Sequence, residues 1–192
     1  MKISGKTIGF AITGSFCTFS KTKEVLKELV NENANIIPIF SYNAYSTDTR
    51  FGKASEFVSY VENLTSNKAI STIAEAEKFG PNNILDILII SPCTGNTLAK
   101  FNNGITDTPV LMAAKGHVRT GRPLVISLST NDALGANFKN IGSLMHTKNV
   151  FFVPFGQDNT SKKPYSMIAH SDLTIKTLEL ALEKKQIQPI LT

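Results

Sequence analysis

Two short loops hold residue types suited to a phosphate-bearing ligand: Thr13-Gly14-Ser15-Phe16-Cys17-Thr18 and Ser91-Pro92-Cys93-Thr94-Gly95-Asn96-Thr97. Each follows an apolar run and opens a helix. Glycine lets the backbone approach a ligand closely and hydroxyls donate hydrogen bonds, while the free N–H groups of a helix start favour an anion by roughly 0.3–1 kcal/mol. In an open parallel sheet, loops at the carboxyl ends of strands flanking the switch point of strand order face one another across a crevice. Together the two loops read as a mononucleotide site. Ser41, ending a second apolar run, adds a hydroxyl facing the same crevice, and the small polar stretch Ser127–Gly135, with Ser129 and Thr130, adds a wall. Taken alone, the first loop reads as a helix-capping turn. The binding reading rests on the second loop, where several donors stand in series although an ordinary connection needs one cap.

Other nucleotide motifs are excluded. Ser4-Gly5-Lys6-Thr7 ends like a phosphate-binding P-loop, but it lacks the upstream glycine and precedes a strand instead of following one. The G-x-G-x-x-G dinucleotide fingerprint is absent from the first strand-to-helix turn, which disfavours an autonomous NAD(P) site. Two cysteines, Cys17 and Cys93, make no zinc site, and the three histidines have no ligand spacing, so no metal is expected. The cysteines are read as small apolar residues beneath a ligand, with a redox pair as the alternative. His117 and His146 fall in expected helices and His170 beside a helix start, which assigns them structural or exposed roles. Phe155-Gly156-Gln157-Asp158-Asn159 with Lys162 and Lys163 is either a contact for an acidic ligand or a surface loop.

The elements that must position these residues follow from apolar periodicity. Apolar runs at 7–13, 35–40, 84–90, 123–128 and 150–153 read as buried strands, and the alternation of strand and helix signals a parallel sheet covered on both faces. Helices are expected from a cap at Ser20 to about Asn31, over Ala54–Leu64, Thr94–Asn102 and Thr108–Val118, and from Ser171 to about Lys185. A short edge strand is expected at 70–73 and a helical turn at 74–79. The last helix is expected to bury Leu173, Ile175, Leu178, Leu180 and Leu182.

The chain has 192 residues, 42% of them hydrophobic, enough for one full core and short for two, so one domain is expected over 1–192. Its 20 basic against 15 acidic residues give a net charge of +5. The basic residues are scattered, which reads as a solvated surface and not as a nucleic-acid face. Met1–Lys6 has no apolar leader, and no run reaches the ~18 apolar residues of a membrane helix, so a cytoplasmic protein is expected.

On six segments the chain resembles the flavoprotein family of homo-oligomeric, FMN-binding decarboxylases and prenyltransferases. They are Ile8–Ser15, Thr47–Gly52, Pro92–Phe101, Thr106–Lys115, Ser129–Gly135 and Val153–Asp158. The resemblance implies a three-layer, flavodoxin-like α/β fold and a homo-oligomer. It is closest to a branch that serves as second subunit of a two-component enzyme, oxidising dihydrodipicolinate to dipicolinate with NAD(P) during sporulation. It then implies that a Rossmann-type A subunit carries the NAD(P), while this chain holds FMN or the dicarboxylate. Carried over by position, the flavin-phosphate loop falls on Thr13, Gly14 and Ser15, and the hydroxyl after the second strand on Ser41. The family's Pro-Ala-Ser-Ala-Asn-Thr-like motif falls on Pro92, Cys93, Thr94, Gly95, Asn96 and Thr97, with Asn96 as the reactive-side amide. The decarboxylases' histidine has no counterpart between Thr65 and Gly80, and their Pro-x-Met-Asn motif is replaced near Ser129-Thr130-Asn131. Two alternatives stand beside the two-component reading: a stand-alone FMN-dependent decarboxylase or prenyltransferase, and a non-catalytic binding subunit. Arg50, Lys115 and Arg119 are candidates for the two carboxylates, because arginine pairs bidentately with them.

Overall fold

Five parallel strands run in the order β2-β1-β3-β4-β5, with residue ranges Thr7–Ile12 (β1), Asn35–Phe40 (β2), Ile87–Cys93 (β3), Leu124–Thr130 (β4) and Val150–Phe152 (β5). The computed structural model describes residues 2–192, so Met1 of the N-terminal reading lies outside the described residues. β1 and β3 are neighbours although the chain visits β2 between them, and this places the switch point between the two loops of interest.

Helices cover both faces. α1 (Phe19–Asn31) and the last helix, α8 (Thr174–Leu182), pack together on one. On the other, α5 (Gly95–Asn102) lies between α6 (Pro109–Arg119) and α7 (Phe138–Met145), and the short α4 (Ile73–Glu77) rests on α6. α2 (Tyr42–Ser46) and α3 (Ala54–Thr65) close the β2 edge. All seven residues of β3 are buried, as its central place in a doubly covered sheet requires. The architecture is the three-layer flavodoxin-like fold.

Several boundaries differ from the sequence reading, each for a tertiary reason. The expected cap at Ser20 lies inside α1; a 3₁₀ turn over Phe16–Thr18 leads into the helix, and Thr18 stands at its start without a side-chain cap. β3 runs over 87–93 instead of 84–90: Asp86 accepts the Thr7 amide at 2.9 Å, pairing with β1 begins at Ile87, and the expected loop residues Ser91, Pro92 and Cys93 continue the strand beside β4. The expected edge strand at 70–73 is a single bridge between Ile70 and Ile39. The C-terminal helix is shorter, with a 3₁₀ turn at Ser171–Leu173 before α8, and of the five residues expected to be buried there only Leu178 is fully so. The stretch Phe155–Asn159 is not a surface loop but β6, paired antiparallel with β7 (Lys163–Ala169). That hairpin extends the sheet on β4, where Ser129 faces Ile168 and Thr130 faces Met167.

Candidate functional site

Thr13 joins the two loops. It is 1% exposed, and its hydroxyl donates to the Pro92 carbonyl at 2.6 Å while accepting the Thr94 amide at 3.0 Å. One buried side chain thus uses both roles of its hydroxyl to fix the end of β3 against the end of β1. In front of this latch, Ser15 Oγ lies 2.8 Å from Ser129 Oγ, so the first loop also meets the end of β4. The Ser15 amide donates to the Thr13 carbonyl at 2.8 Å and the Thr18 amide to the Ser15 carbonyl at 3.0 Å, which closes the loop into the Phe16–Thr18 turn.

Across the crevice, Thr94 caps α5: its hydroxyl accepts the Thr97 amide at 3.4 Å and lies 3.1 Å from Thr97 Oγ1. Gly95 follows because nothing larger fits. A Cβ there would lie 2.7 Å from Asp132 Oδ1 and 2.5 Å from Asn137 Nδ2, and nearer still to Thr130 Oγ1. The Asp132 carboxylate accepts from the Thr130 hydroxyl and from Asn137 Nδ2, at 3.0 and 2.9 Å from the latter to its two oxygens. Asn137, Asn140 and Asn102 then continue the chain of amides between α7 and α5 at 2.9 and 3.0 Å. An anion therefore already stands at the start of α5, supplied by the chain itself, where the helix dipole favours it.

The resulting cavity is about 280 Å³. Of the residues singled out from sequence, Gly14, Ser15, Thr94, Gly95, Ser129 and Thr130 line it. Thr13 and Pro92 lie behind its wall as the latch, and Thr97 belongs to the α5 cap. Ser41 accepts the Ala44 amide at 3.3 Å as the cap of α2 and does not line this cavity. Asn96 is exposed on the first turn of α5 and makes no side-chain hydrogen bond among the described residues. The β6–β7 hairpin contributes Asp158 and Lys163, an ion pair at 2.9 Å that holds the Lys163 ammonium above its usual range, chiefly through the hydrogen bond. Asp158 and Lys163 belong to the stretch read as either a contact for an acidic ligand or a surface loop; Asn137 escaped the sequence reading, and Asp132 entered it only as part of the wall. The run Ser129-Thr130-Asn131-Asp132 signalled a polar wall, but nothing in it distinguished an anion placed by tertiary packing.

Two further titratable groups, His117 and Cys93, lie in the core. His117 is fully buried, with Nε2 at 2.9 Å from the Pro123 carbonyl and Nδ1 facing no partner; burial lowers its pKa to about 4. His170 Nε2 lies 2.7 Å from Thr192 Oγ1, and His146 ends α7, so none of the three histidines lines the crevice. Cys93 is buried and its thiol is pushed up to about 12, whereas Cys17 is exposed at the crevice mouth; both are free. Lys115 and Arg119 line a groove between α4 and α6, while Arg50 sits over the Phe51 ring at 4.9 Å, so the three candidate cations do not converge.

The donor set fits a flavin mononucleotide in one orientation. Glycine and hydroxyls at Gly14, Ser15 and Ser129 suit its phosphate, and the start of α5 does not, because Asp132 stands there.

A parallel 2-1-3-4-5 sheet with hydroxyl- and glycine-bearing loops at its switch point defines the flavodoxin-like mononucleotide class. The chain belongs to the Flavoprotein family, whose model matches residues 1–177. It is 51% identical over 189 residues to the B subunit of dipicolinate synthase of Bacillus subtilis (strain 168), covering 98% of this chain and 94% of that protein. The crystal structure of the dipicolinate synthase B subunit from Bacillus halodurans C superposes with a TM-score of 0.92 at 43% identity, over 100% of this chain and 98% of that one. The FMN-dependent cysteine decarboxylase SpaF shares the fold, with a TM-score of 0.67 at 18% identity over 96% of this chain and 98% of its own.

Proposed function

We propose that the chain is the B subunit of a dipicolinate synthase. With the A subunit of that enzyme, which carries NAD(P), it oxidises dihydrodipicolinate to dipicolinate in the mother-cell cytoplasm of a sporulating bacterium. The observation that carries this is the 51% identity to a dipicolinate synthase B subunit along almost the whole of both chains. The reaction removes a hydride and a proton from the dihydropyridine ring; the hydride ends on the nicotinamide and the proton in solvent.

FMN is the cofactor proposed for the crevice, and when bound it supplies a two-electron relay between dicarboxylate and nicotinamide. Gly14, Ser15 and the amides of the following turn hold its phosphate, with Thr13 fixing that loop. Ser129 and Thr130 offer hydroxyls along the same wall, and Asp132, with its hydrogen bonds already satisfied, keeps the phosphate away from α5. Asn96, exposed on α5, reaches a ligand where a second chain covers that face. This agrees with a homo-oligomer or with docking of the A subunit. A crevice lined by no histidine favours a chain that binds and orients over one that decarboxylates alone.

The test is reconstitution. The purified chain and its A-subunit partner are assayed separately and together for NAD(P)H formation from freshly made dihydrodipicolinate. Activity only in the mixture supports the reading. Full activity of either protein alone overturns it, and release of CO2 from a carboxylated thiol by this chain alone would instead support the decarboxylase alternative.

A further inference from the structure

Beside the crevice, and sharing Cys17 with it, lies a second cavity of about 280 Å³ that the mononucleotide reading does not use. Its lining combines aromatic rings with lysines and hydroxyls. Phe16, Phe19 and Phe57 form a continuous aromatic wall: Phe16 and Phe19 are 5.4 Å apart between centroids, and Phe19 stacks on Phe57 at 4.2 Å with an interplanar angle of 16°. Facing it is the turn Thr49–Gly52, closed by reciprocal backbone hydrogen bonds of 3.1 Å between its end residues, with Gly52 at a φ of 136°. Asp48 anchors the turn by accepting the Ala54 amide at the start of α3 at 2.9 Å. This rigid turn holds Phe51 out at 53% exposure, with the Arg50 guanidinium on its ring.

The cations of the cavity are free to meet a ligand. Lys23 and Lys53 both line it, and neither is in an ion pair among the described residues. Lys23 is held over aromatic faces, 4.6 Å from the Tyr60 centroid and 5.6 Å from that of Phe57. Glu56 is the one acidic residue of the lining, since Asp48 is turned to its cap, and Thr47 and Thr49 add hydroxyls. Flat apolar walls take a flat ring, by stacking contacts worth about 0.5–1.5 kcal/mol beyond area burial. Two lysines take two carboxylates.

We propose that this cavity is the binding site for a planar six-membered ring bearing two carboxylates, with the ring against the phenylalanines and the carboxylates toward Lys23 and Lys53. This rests on the dipicolinate synthase reading for the identity of the ligand, and goes beyond it in separating the dicarboxylate site from the mononucleotide crevice. The two cavities adjoin at Cys17, which lines both.

The experiment is calorimetric titration of the purified chain with dipicolinate in metal-free buffer, repeated with K53E and F51S, both at exposed positions, and with S15D in the crevice. Saturable binding weakened at least tenfold in K53E and F51S and unchanged in S15D is the expected result; FMN affinity is expected to be unchanged in K53E and F51S. Wild-type affinity in both cavity variants, a loss confined to S15D, or no binding by the wild-type chain at millimolar dipicolinate would each overturn it. Benzene-1,3-dicarboxylate, of the same shape, is expected to compete, and benzoate to compete at least tenfold less well. The cavity's failure is distinguishable from that of the enzyme reading: binding here with no turnover in the reconstituted pair sinks the latter, and turnover with K53E binding intact sinks the former.

Discussion

Thr13 and Thr94, 81 positions apart in the chain, are joined by a hydrogen bond of 3.0 Å from the Thr94 amide to the Thr13 hydroxyl, which in turn donates to Pro92. The switch-point crevice is therefore a fixed feature of the folded chain. Replacing Thr13 by the isosteric Val leaves a part-buried N–H and a buried carbonyl unpaired, at a cost of about 1–3 kcal/mol. In a protein of this size that lowers Tm by roughly 2–4 °C per kcal/mol. Urea unfolding of T13V against T13S measures it: the serine variant, which keeps the hydroxyl, is expected to recover most of the loss.

His117 makes stability depend on pH. Its folded pKa is lowered to about 4 from 6.5, chiefly by burial, and the lone pair of Nδ1 faces no acceptor that could receive a proton's hydrogen bond. The unfolded chain therefore binds the proton first. The stabilisation is present in full above about pH 6.5 and is lost as pH falls toward 4. The loss totals roughly 3 kcal/mol, because each tenfold difference in proton affinity between the folded and unfolded chain is worth about 1.36 kcal/mol. Denaturant midpoints at pH 7, 5.5 and 4 should fall in that order, and H117N, which has no proton to take up, should flatten the decline even if it lowers stability at pH 7.

The two thiols should separate cleanly. Cys93 is buried with its pKa pushed up to about 12, and Cys17 is exposed. The thiolate is the reactive form, so a chromogenic disulfide reagent at mildly alkaline pH should titrate one thiol in the native chain and two in urea. The C17S variant should show none until unfolded. Fast reaction of Cys93 in the native chain would mean that the end of β3 opens far more readily than its packing implies.

How far the sequence foretold these features depends on where the information resides. The starts of α5 and α6 were legible because Thr94 and Thr108 are caps whose hydroxyls accept backbone amides three residues on, a local signal. The strands β1 and β2 were legible as dense apolar runs with polar ends. The polar extension of β4 through Ser129 and Thr130 was not, because its partner is β7, more than thirty residues later, and β6 and β7 carry polar residues where a strand signal would be apolar. The same limit applied to the site. Glycine and hydroxyls at Gly14, Ser15, Thr94 and Gly95 advertise a crevice wherever they fall. Asp132 was silent, since its place at α5 comes from the fold of the 130–137 turn and not from any neighbour in sequence. Ser41 shows a second use of the same signal: its hydroxyl at a strand end accepts the Ala44 amide as the cap of the next helix.

The placement of the phosphate gives the sharpest test of the crevice. In the proposed orientation the first loop carries the phosphate, because Asp132 stands at α5, and Ser15 is the loop's central hydroxyl, 2.8 Å from Ser129. FMN titrated against the purified chain, followed by quenching of flavin fluorescence, is expected to bind saturably. S15D puts a carboxylate among the donors meant for the phosphate and is expected to weaken binding at least a hundredfold, since like-charge contact and the loss of a charge-assisted hydrogen bond each cost on the order of 1.5–3 kcal/mol. D132N should change FMN affinity less than threefold under this orientation, whereas a large gain in D132N would mean that the phosphate goes to α5 after all and that the carboxylate had been opposing it.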